Sequence, residues 1–181
     1  INSKENPQDP YGLSKYEAEI GLREISRNTD LEVAIIRPPL VYGPGVKGNI
    51  HTLIKVLKLR IPLPFASVKN NRRSMVGLDN LLSMIALCVR HPNAADRTFL
   101  ISDNADLSTY SLLKLLGAAI DKPAVLFTFP IKILYLVAKL LRVEAKAQKV
   151  MGTLQVDISH TRSHLGWEPP FSVEQGLKKL K

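Results

Sequence analysis

The fold is decided by the stretch from Asp9 to Ile36, DPYGLSKYEAEIGLREISRNTDLEVAII. Its first part predicts a helix from Pro10 to about Ser26, because apolar residues recur three and four positions apart. Asp9 is the predicted N-cap and Pro10 the first helical residue. The apolar run Val33-Ala34-Ile35-Ile36 then predicts a short strand covered on both faces. A helix followed by a buried strand is half of a parallel α/β unit, so the sequence predicts an α/β fold.

The predicted helix carries apolar side chains on two faces. One stripe is formed by Ala18, Leu22 and Ile25, and the other by Leu13, Tyr16 and Ile20. Two stripes predict burial on two sides of the helix. A single strand cannot make a sheet, so the strand after this helix must pair with strands from elsewhere.

The helix begins with the pentapeptide Tyr11-Gly12-Leu13-Ser14-Lys15. Residues four apart are neighbours on a helix surface, so we expect the Lys15 ammonium close to the Tyr11 phenol. A fixed positive charge lowers the free-energy cost of forming a phenolate. Tyr11 is therefore a candidate general acid/base, with Lys15 as the group that activates it.

Further helices and strands follow from apolar spacing, caps and turn residues. Helices are predicted at 50–57, from an N-cap at Asp79 to His91, from an N-cap at Ser108 to Ile120, from Pro130, at 159–165, and after a capping box at Ser172 and Gln175. Strands are predicted at 74–76, 98–101, 125–128 and 154–157.

The composition is that of an ordinary globular protein, with 45% hydrophobic and 23% charged residues among 181. The net charge of +9 is diffuse, and its densest stretches, 69–73, 139–149 and 178–181, are not interleaved with aromatic residues. We therefore expect a basic surface with an anion pocket and no nucleic-acid partner. The four histidines lack metal-site spacing, so no metal is expected. The single cysteine, Cys88, predicts a buried thiol in a reducing, cytoplasmic compartment.

The most apolar segment runs from Val125 to Leu141. Pro130, Lys132 and Lys139 interrupt it, which argues against a membrane span and favours a core helix that starts at Pro130. A helix lying in a membrane interface is the alternative, because its apolar residues recur three and four apart while both lysines lie elsewhere.

Four motifs occur in order along the chain: Asp9-Pro10-Tyr11-Gly12-Leu13-Ser14-Lys15, then Arg37-Pro38-Pro39-Leu40-Val41-Tyr42-Gly43-Pro44-Gly45, then Arg73-Ser74-Met75-Val76-Gly77-Leu78-Asp79-Asn80-Leu81, and Leu165-Gly166-Trp167-Glu168-Pro169. Together they resemble the extended short-chain dehydrogenase/reductase superfamily, specifically its nucleotide-sugar epimerase/dehydratase family. The likeness is to UDP-N-acetylsugar 4-epimerases and 4-ketosugar reductases. The stretches 98–109 and 154–159 look like the reductase branch.

The resemblance implies an enzyme that moves a hydride at the sugar C4 with NAD or NADP as cofactor. It implies that Tyr11 exchanges a proton with the sugar hydroxyl, that Lys15 holds the nicotinamide ribose, and that the loop from Pro38 to Val41 borders the nicotinamide. The diphosphate of a UDP-sugar would be held by Asn49, at a helix N-terminus, and by Arg73, with Arg72 assisting. Asp79 is expected as a helix cap and Trp167 as a packing residue.

The resemblance also implies a domain organisation. Residues 1–45 would end a Rossmann-type dinucleotide-binding domain, and residues 46–181 would mainly form a smaller α/β substrate-binding domain, with some segments returning to the Rossmann sheet. A homodimer through the Tyr-Lys helix is a further expectation.

The chain departs from the family in two places. It has neither the glycine-rich G-x-x-G-x-x-G turn nor the upstream Ser/Thr of the catalytic group, and it starts without Met. We therefore expect a piece of a longer protein that alone binds NAD negligibly and is inactive. Val150-Met151-Gly152-Thr153 stands where many epimerases carry Arg-x-Gly-Asp, so no residue role is carried over there.

Two other functions stay open on these residues. One is a nucleotide-sugar binding module without catalysis, although such a module has no need of an activated phenol. The other is a reductase of the same superfamily that acts on a sterol- or flavonoid-type molecule, for which no diphosphate clamp is expected.

Overall fold

The computed structural model describes residues 10–45 and 49–180. The helices are α1 (Pro10–Asn28), α2 (Asn49–Lys58), α3 (Leu78–Arg90), α4 (Thr109–Ala119), α5 (Ile131–Leu140), α6 (Glu144–Met151), α7 (Ser159–Leu165) and α8 (Val173–Lys178). The strands are β1 (Ala34–Arg37), β2 (Leu40–Tyr42), β3 (Met75–Gly77) and β4 (Arg97–Leu100), and a 3₁₀ turn covers Pro92–Ala94.

The four strands form two parallel pairs. β1 pairs with β4, with Ala34 opposite Arg97, and β2 pairs with β3, with Leu40 opposite Met75. Parallel strands need crossover connections, and helices lie in both connections here. The predicted α/β class is therefore confirmed.

Helices cover the strands on two sides. On one side a first core cluster joins Tyr42 and Met75 to apolar side chains of α2, α4 and α8. On the other side a second core cluster joins Val76 and Phe99 to side chains of α3 and α7. Successive side chains of a strand point to opposite faces, which is why the neighbours Met75 and Val76 serve different clusters. Trp167 is 5% exposed in the second cluster, so its predicted packing role is confirmed.

A buried polar group ties β2, β3 and α3 together. The Tyr42 hydroxyl donates to Asp103 Oδ2 at 2.6 Å, and Asn80 Nδ2 donates to Asp103 Oδ1 at 2.7 Å. The Gly77 backbone N–H donates to the same carboxylate at 3.0 Å. Asn80 also accepts from the Phe171 backbone N–H at 3.0 Å, which attaches the segment before α8. These groups are buried and mutually satisfied, as polar groups in a protein core must be.

Four secondary-structure predictions are wrong. The expected loop from Pro38 to Val41 is a bend of Pro38 and Pro39 only, because Leu40–Tyr42 pairs with β3 as a strand. Asp79 is not an N-cap, because α3 already begins at Leu78 after Gly77, without a side-chain cap. Residues 125–128 and 154–157 are not strands, since each makes one isolated bridge, Leu126 with Leu63 and Leu154 with Arg73. Each bridge rests on two backbone hydrogen bonds, those of Leu63 with Val125 and Phe127 and those of Leu154 with Arg72 and Ser74, and no ladder continues from either.

The helix α1 is less covered than its two apolar stripes predict. It extends to Asn28, and none of its residues is buried. Leu13, Ile20 and Ile25 are 46%, 47% and 49% exposed. In β1 only Ile35 is buried, so coverage of that strand on both faces is also incomplete. The predicted two-sided burial is therefore wrong for the residues described.

The helix α5 begins at Ile131 with Pro130 as its N-cap residue, close to the prediction. The expected core helix is only partly realised, because Ala138 alone is buried along α5. Across residues 10–45 and 49–180, no helix has the length and apolarity needed to cross a membrane.

Candidate functional site

Tyr11 and Lys15 lie on one face of the first turns of α1. The Lys15 Nζ is 5.7 Å from the centroid of the Tyr11 ring, and the phenol is 72% exposed. Ser14 lies between them in sequence, and its hydroxyl donates to the Tyr11 carbonyl at 2.9 Å. The expected proximity of ammonium and phenol is therefore present, and a ligand can reach both groups.

Half-buried polar contacts fix α1 against the sheet. Arg37 of β1 donates from Nε to Glu19 Oε1 at 2.9 Å and from Nη2 to Glu19 Oε2 at 2.5 Å. Arg23 donates to the Thr98 hydroxyl of β4 at 2.9 Å. A two-pronged Arg–carboxylate contact defines direction as well as distance. It therefore sets where the Tyr11 end of α1 stands relative to the strands.

The turn between β1 and β2 holds the residues expected next to a nicotinamide. Pro38 is exposed between the two strands, whereas Val41 is half-buried in β2 and packs against the second core cluster. Their neighbour Leu40 lines the same cavity as Arg73. A contact of Val41 with a cofactor would thus involve its backbone more than its side chain.

Arg73 precedes β3 and is held by its backbone and its side chain. Its N–H donates to the Leu107 carbonyl at 2.9 Å, and its carbonyl accepts from the Leu107 N–H at 3.0 Å. Its guanidinium donates from Nη1 to the Gly152 carbonyl at 3.1 Å. Burial lowers the pKa of the Arg73 guanidinium. A guanidinium has five donors, so this contact leaves others for an anion.

Arg73 lines a cavity of about 230 Å³ whose wall is mainly apolar. Its described lining residues are Leu40, Thr52, Leu53, Arg73, Thr109, Leu112, Lys146, Lys149 and Val150. Two lysines of α6 therefore face the same space as Arg73. Arg73 is half-buried and both lysines are exposed, so attraction for an anion such as a diphosphate is strongest beside Arg73, where the apolar wall lowers the effective dielectric constant.

The cavity gathers some predicted site residues and not others. Asn49 is the first residue of α2, whose next turn contributes Thr52 and Leu53 to the wall. Tyr11 and Lys15 are not among its described lining residues. Arg72 donates instead to the Lys69 and Asn71 carbonyls at 3.1 and 3.2 Å.

Lys146 and Lys149 were not predicted as site residues. Their signal in the sequence was only a basic stretch on a short helix, and such stretches are common on solvated surfaces.

Asp79, in the first turn of α3, pairs with Lys179 at 2.8 Å.

The described residues form neither a metal site nor an activated cysteine. Within the described ranges, no three His, Cys, Asp or Glu side chains gather as a metal site requires. Burial raises the pKa of the half-buried Cys88 thiol, which makes it a poor nucleophile at neutral pH.

The fold and this site define a class of protein: an α/β protein of Rossmann type with an exposed Tyr-Lys pair and a cationic cavity. The sequence pattern of the NAD dependent epimerase/dehydratase family matches residues 1–102, more than half of the chain. The chain belongs to this family.

A curated relative, the UDP-glucose 4-epimerase of Vibrio cholerae, is 45% identical over 173 residues. That alignment covers 96% of this chain and 53% of the relative, so the chain spans about half the length of the curated relatives it matches.

Solved structures agree on the fold. The structure of UDP-glucuronic acid 4-epimerase from Bacillus cereus in complex with NAD gives a TM-score of 0.74 at 19% identity, over 98% of this chain and 51% of that one. The structure of UDP-glucose 4-epimerase from Thermotoga maritima with UDP-glucose gives 0.68 at 21% identity, over 98% and 57%. The predicted Rossmann-type fold is therefore confirmed.

Proposed function

We propose that this chain is the substrate-binding and proton-transferring part of an NAD(P)-dependent enzyme that epimerises or reduces a UDP-sugar at C4. The observation that carries the proposal is the largely apolar cavity that Arg73, Lys146 and Lys149 all line. The likeness to a UDP-glucose 4-epimerase at 45% identity supports the same substrate class.

In this proposal Tyr11 and Lys15 do the proton chemistry. Tyr11 accepts the proton of the sugar 4-hydroxyl in one direction and returns it in the other. The ammonium of Lys15, 5.7 Å from the phenol ring, favours the phenolate and holds the cofactor ribose. The cofactor, when bound, would accept a hydride from C4 of the sugar in one direction and return it in the other. Pro38 and Val41 would border it, and the exposure of Pro38 leaves room for such a contact.

The diphosphate is assigned to the cavity. Arg73 would contact the phosphate oxygens with its remaining donors, and Lys146 and Lys149 would add positive charge from α6. The backbone N–H groups at the start of α2, at Asn49, suit an anion as well. An apolar wall with a few cations also fits a uracil ring joined to a diphosphate.

Binding of UDP to the 181-residue chain tests this assignment. We expect Arg73→Ala to weaken UDP binding by about 1.5 to 3 kcal/mol, the range for a hydrogen bond to a charged group. Arg90→Ala, at an exposed cation at the end of α3, is the matched control and should bind like the wild type. The measurement is isothermal titration calorimetry. An unchanged UDP affinity in Arg73→Ala would favour a reductase that acts on another small molecule.

Cofactor binding is the second part of the proposal. These residues contain no G-x-x-G-x-x-G turn, so we propose that this polypeptide alone binds NAD negligibly and turns over no sugar. A micromolar NAD affinity measured by calorimetry would refute this. Titrations with NAD and NADP side by side would also show any preference between them.

Catalysis is tested in a chimera in which the unmatched part of the Vibrio cholerae relative is joined to residues 1–181. We expect it to act on UDP-N-acetylglucosamine or on a UDP-4-keto-6-deoxy sugar, with isomer formation and NAD(P)H consumption followed separately. Tyr11→Phe should abolish turnover and leave UDP affinity unchanged, because it removes only the proton acceptor. A chimera that binds UDP-sugar without converting it would favour the non-catalytic module.

The domain, partner and localisation assignments belong to the same proposal. Residues 1–45 end the dinucleotide-binding domain, and the pairing of β1 with β4 supports a return of later segments to its sheet. The exposed apolar side chains of α1 support a homodimer through that helix. An Ile20→Glu variant should then sediment as a monomer, with Leu82→Glu on α3 as control. The single half-buried thiol supports a cytoplasmic location.

A further inference from the structure

The helix α5 presents an apolar face that the proposed function does not use. We define the α5 apolar surface by Ile133, Leu136, Val137, Leu140 and Leu141, which are 43%, 56%, 43%, 75% and 67% exposed. Their spacing of three and four residues places them on one side of the helix. On the other side Ala138 is buried, and its carbonyl accepts from the Val143 N–H at 2.8 Å at the start of α6. The inner side of α5 is thus occupied, and the outer side is apolar.

Cations border this surface. Lys132 and Lys139, seven positions apart and both exposed, lie along one edge of the apolar side, given 3.6 residues per turn. From Lys122 to Val156 the chain has six basic residues and one acidic residue, Glu144, which is five of its nine net positive charges. An apolar face edged by lysines in a basic segment matches the chemistry of an anionic lipid surface.

The exposed apolar residues of α1 stand in a different electrostatic setting. That helix carries three acidic residues, Glu17, Glu19 and Glu24, and three basic ones, Lys15, Arg23 and Arg27. A surface with both signs fits a protein partner, whereas the α5 surface has cations alone along its edge. A second copy of the chain is a poor occupant of the α5 surface, since a symmetric contact would place Lys132 and Lys139 of both copies at one interface, and α5 has no carboxylate to pair with them.

The length of α5 favours a helix that lies in the plane of a bilayer over one that spans it. α5 has ten residues and is therefore about 15 Å long, half the thickness of a hydrocarbon core. We propose that the α5 apolar surface docks onto the headgroup region of an anionic membrane, with Ile133, Leu136, Val137, Leu140 and Leu141 inserted and Lys132 and Lys139 at the phosphates. α6, which packs against α5, carries Lys146 and Lys149 of the cavity, so docking would bring the cavity to the membrane surface. The proposal does not depend on the substrate.

Co-sedimentation of the 181-residue chain with lipid vesicles tests it. We expect binding to phosphatidylcholine vesicles that contain about 30% phosphatidylglycerol, and at least about tenfold weaker binding to pure phosphatidylcholine. A Leu136→Glu, Leu140→Glu double variant should lose binding about tenfold or more, since two anionic side chains cannot insert. Leu59→Glu, Val89→Glu is the matched control: those residues are 70% and 80% exposed outside α5, and the charge change is identical.

Two further variants separate the contributions. Lys132→Gln, Lys139→Gln should bind several-fold more weakly and respond less to salt, because the electrostatic part is screened. Leu140→Trp should show a blue shift of its emission when vesicles are added, without any destabilising charge. Circular dichroism checks that each variant is folded.

The proposal is overturned if the wild type does not bind the anionic vesicles, or if the matched control loses as much binding as the α5 double variant. It is also overturned if the α5 double variant binds the anionic vesicles like the wild type. A change in the sedimentation of that variant alone would then indicate a second copy on this surface.

Discussion

At the scale of single residues, Tyr42 shows how one side chain joins distant parts of the chain. Its ring belongs to the first core cluster, while its hydroxyl donates to Asp103 beyond β4. Burial and the neighbouring Asp103 carboxylate raise the pKa of the Tyr42 phenol, so the phenol stays protonated and can donate. A Cβ at Gly176 would lie 2.8 Å from the Tyr42 hydroxyl, so glycine there lets α8 approach.

Removing that hydroxyl should destabilise the fold. Tyr42→Phe leaves a buried carboxylate with one donor fewer, and we expect a loss of about 1 to 3 kcal/mol in the free energy of unfolding. Urea denaturation measures it. Tyr110→Phe is the control, because the Tyr110 ring contacts Lys69 and Lys114 through its face and phenylalanine keeps that contact. Equal losses in the two variants would contradict the assigned role of the hydrogen bond.

His160 gives the fold a dependence on pH. Its ring stacks on His164 at 3.9 Å, and its Nδ1 is buried without a hydrogen-bond partner. Burial, and then the charges of His164 and Arg97, lower the pKa of His160 below its ordinary 6.5. The unfolded chain therefore binds a proton more readily than the folded protein, so stability falls as the pH falls through the ordinary histidine range.

We expect the unfolding free energy to decrease between about pH 7.5 and pH 5.5, and to decrease less in His160→Gln. Denaturant titrations at several pH values provide the measurement. The exposed His51 of α2, changed to glutamine, should leave the slope as in the wild type. If the unfolding free energy of His160→Gln falls with decreasing pH as steeply as that of the wild type, other groups cause the loss of stability in acid.

At the scale of elements, α1 is attached by few contacts. It buries no residue, and its described side-chain links to the sheet are polar, led by the ion pair of Glu19 with Arg37. Most helices are held by an apolar face. Here a half-buried ionic contact sets the position of the helix that carries Tyr11 and Lys15.

Glu19→Gln should therefore loosen α1 more than any other helix. We expect local opening of α1 to become easier by about 1 to 3 kcal/mol, since the Arg37 guanidinium loses its charged partner. Amide hydrogen exchange across α1 reports this directly. Glu17→Gln, at an exposed position of the same helix, should leave exchange unchanged. An equal increase of the exchange rate in both variants would mean that the charge of the helix, rather than the contact with Arg37, holds α1.

At the scale of the whole molecule, two core clusters on opposite sides of the strands are linked by buried polar groups. Asn80 donates to Asp103 at 2.7 Å and to the Phe171 carbonyl at 2.8 Å, so it connects α3, the end of β4 and the segment before α8. Asn80 and Asp103 are buried, so the loss of either hydrogen bond would leave an unsatisfied polar atom in the core.

The two clusters should accordingly unfold together. Trp167 fluorescence reports the second cluster and far-ultraviolet circular dichroism reports all helices, and we expect their urea transitions to coincide. Asn80→Ala should lower both midpoints, with a loss of about 1 to 3 kcal/mol. Two separate transitions in the wild-type protein would show that the clusters are independent units.

Local patterns of residues were enough to predict the class of fold and most of the helices. Apolar spacing, caps and turn residues predicted α1, α2, α4 and the capping box of α8, because these depend on neighbours within a few residues. The closeness of Lys15 to Tyr11 followed in the same way from the geometry of one helix. The ordered motifs also identified the family.

What these elements pack against depends on residues that are distant in the sequence. The cavity draws on Leu40, Arg73, Thr109 and Lys149, which are far apart in the sequence, so no local pattern could reveal it. Whether residues 125–128 and 154–157 form strands depends on the segments that pair with them. Each segment forms one bridge only, Leu126 with Leu63 and Leu154 with Arg73. Burial of α1 and α5 likewise depends on what packs against them, since an apolar stripe shows which face avoids water and not which surface covers it.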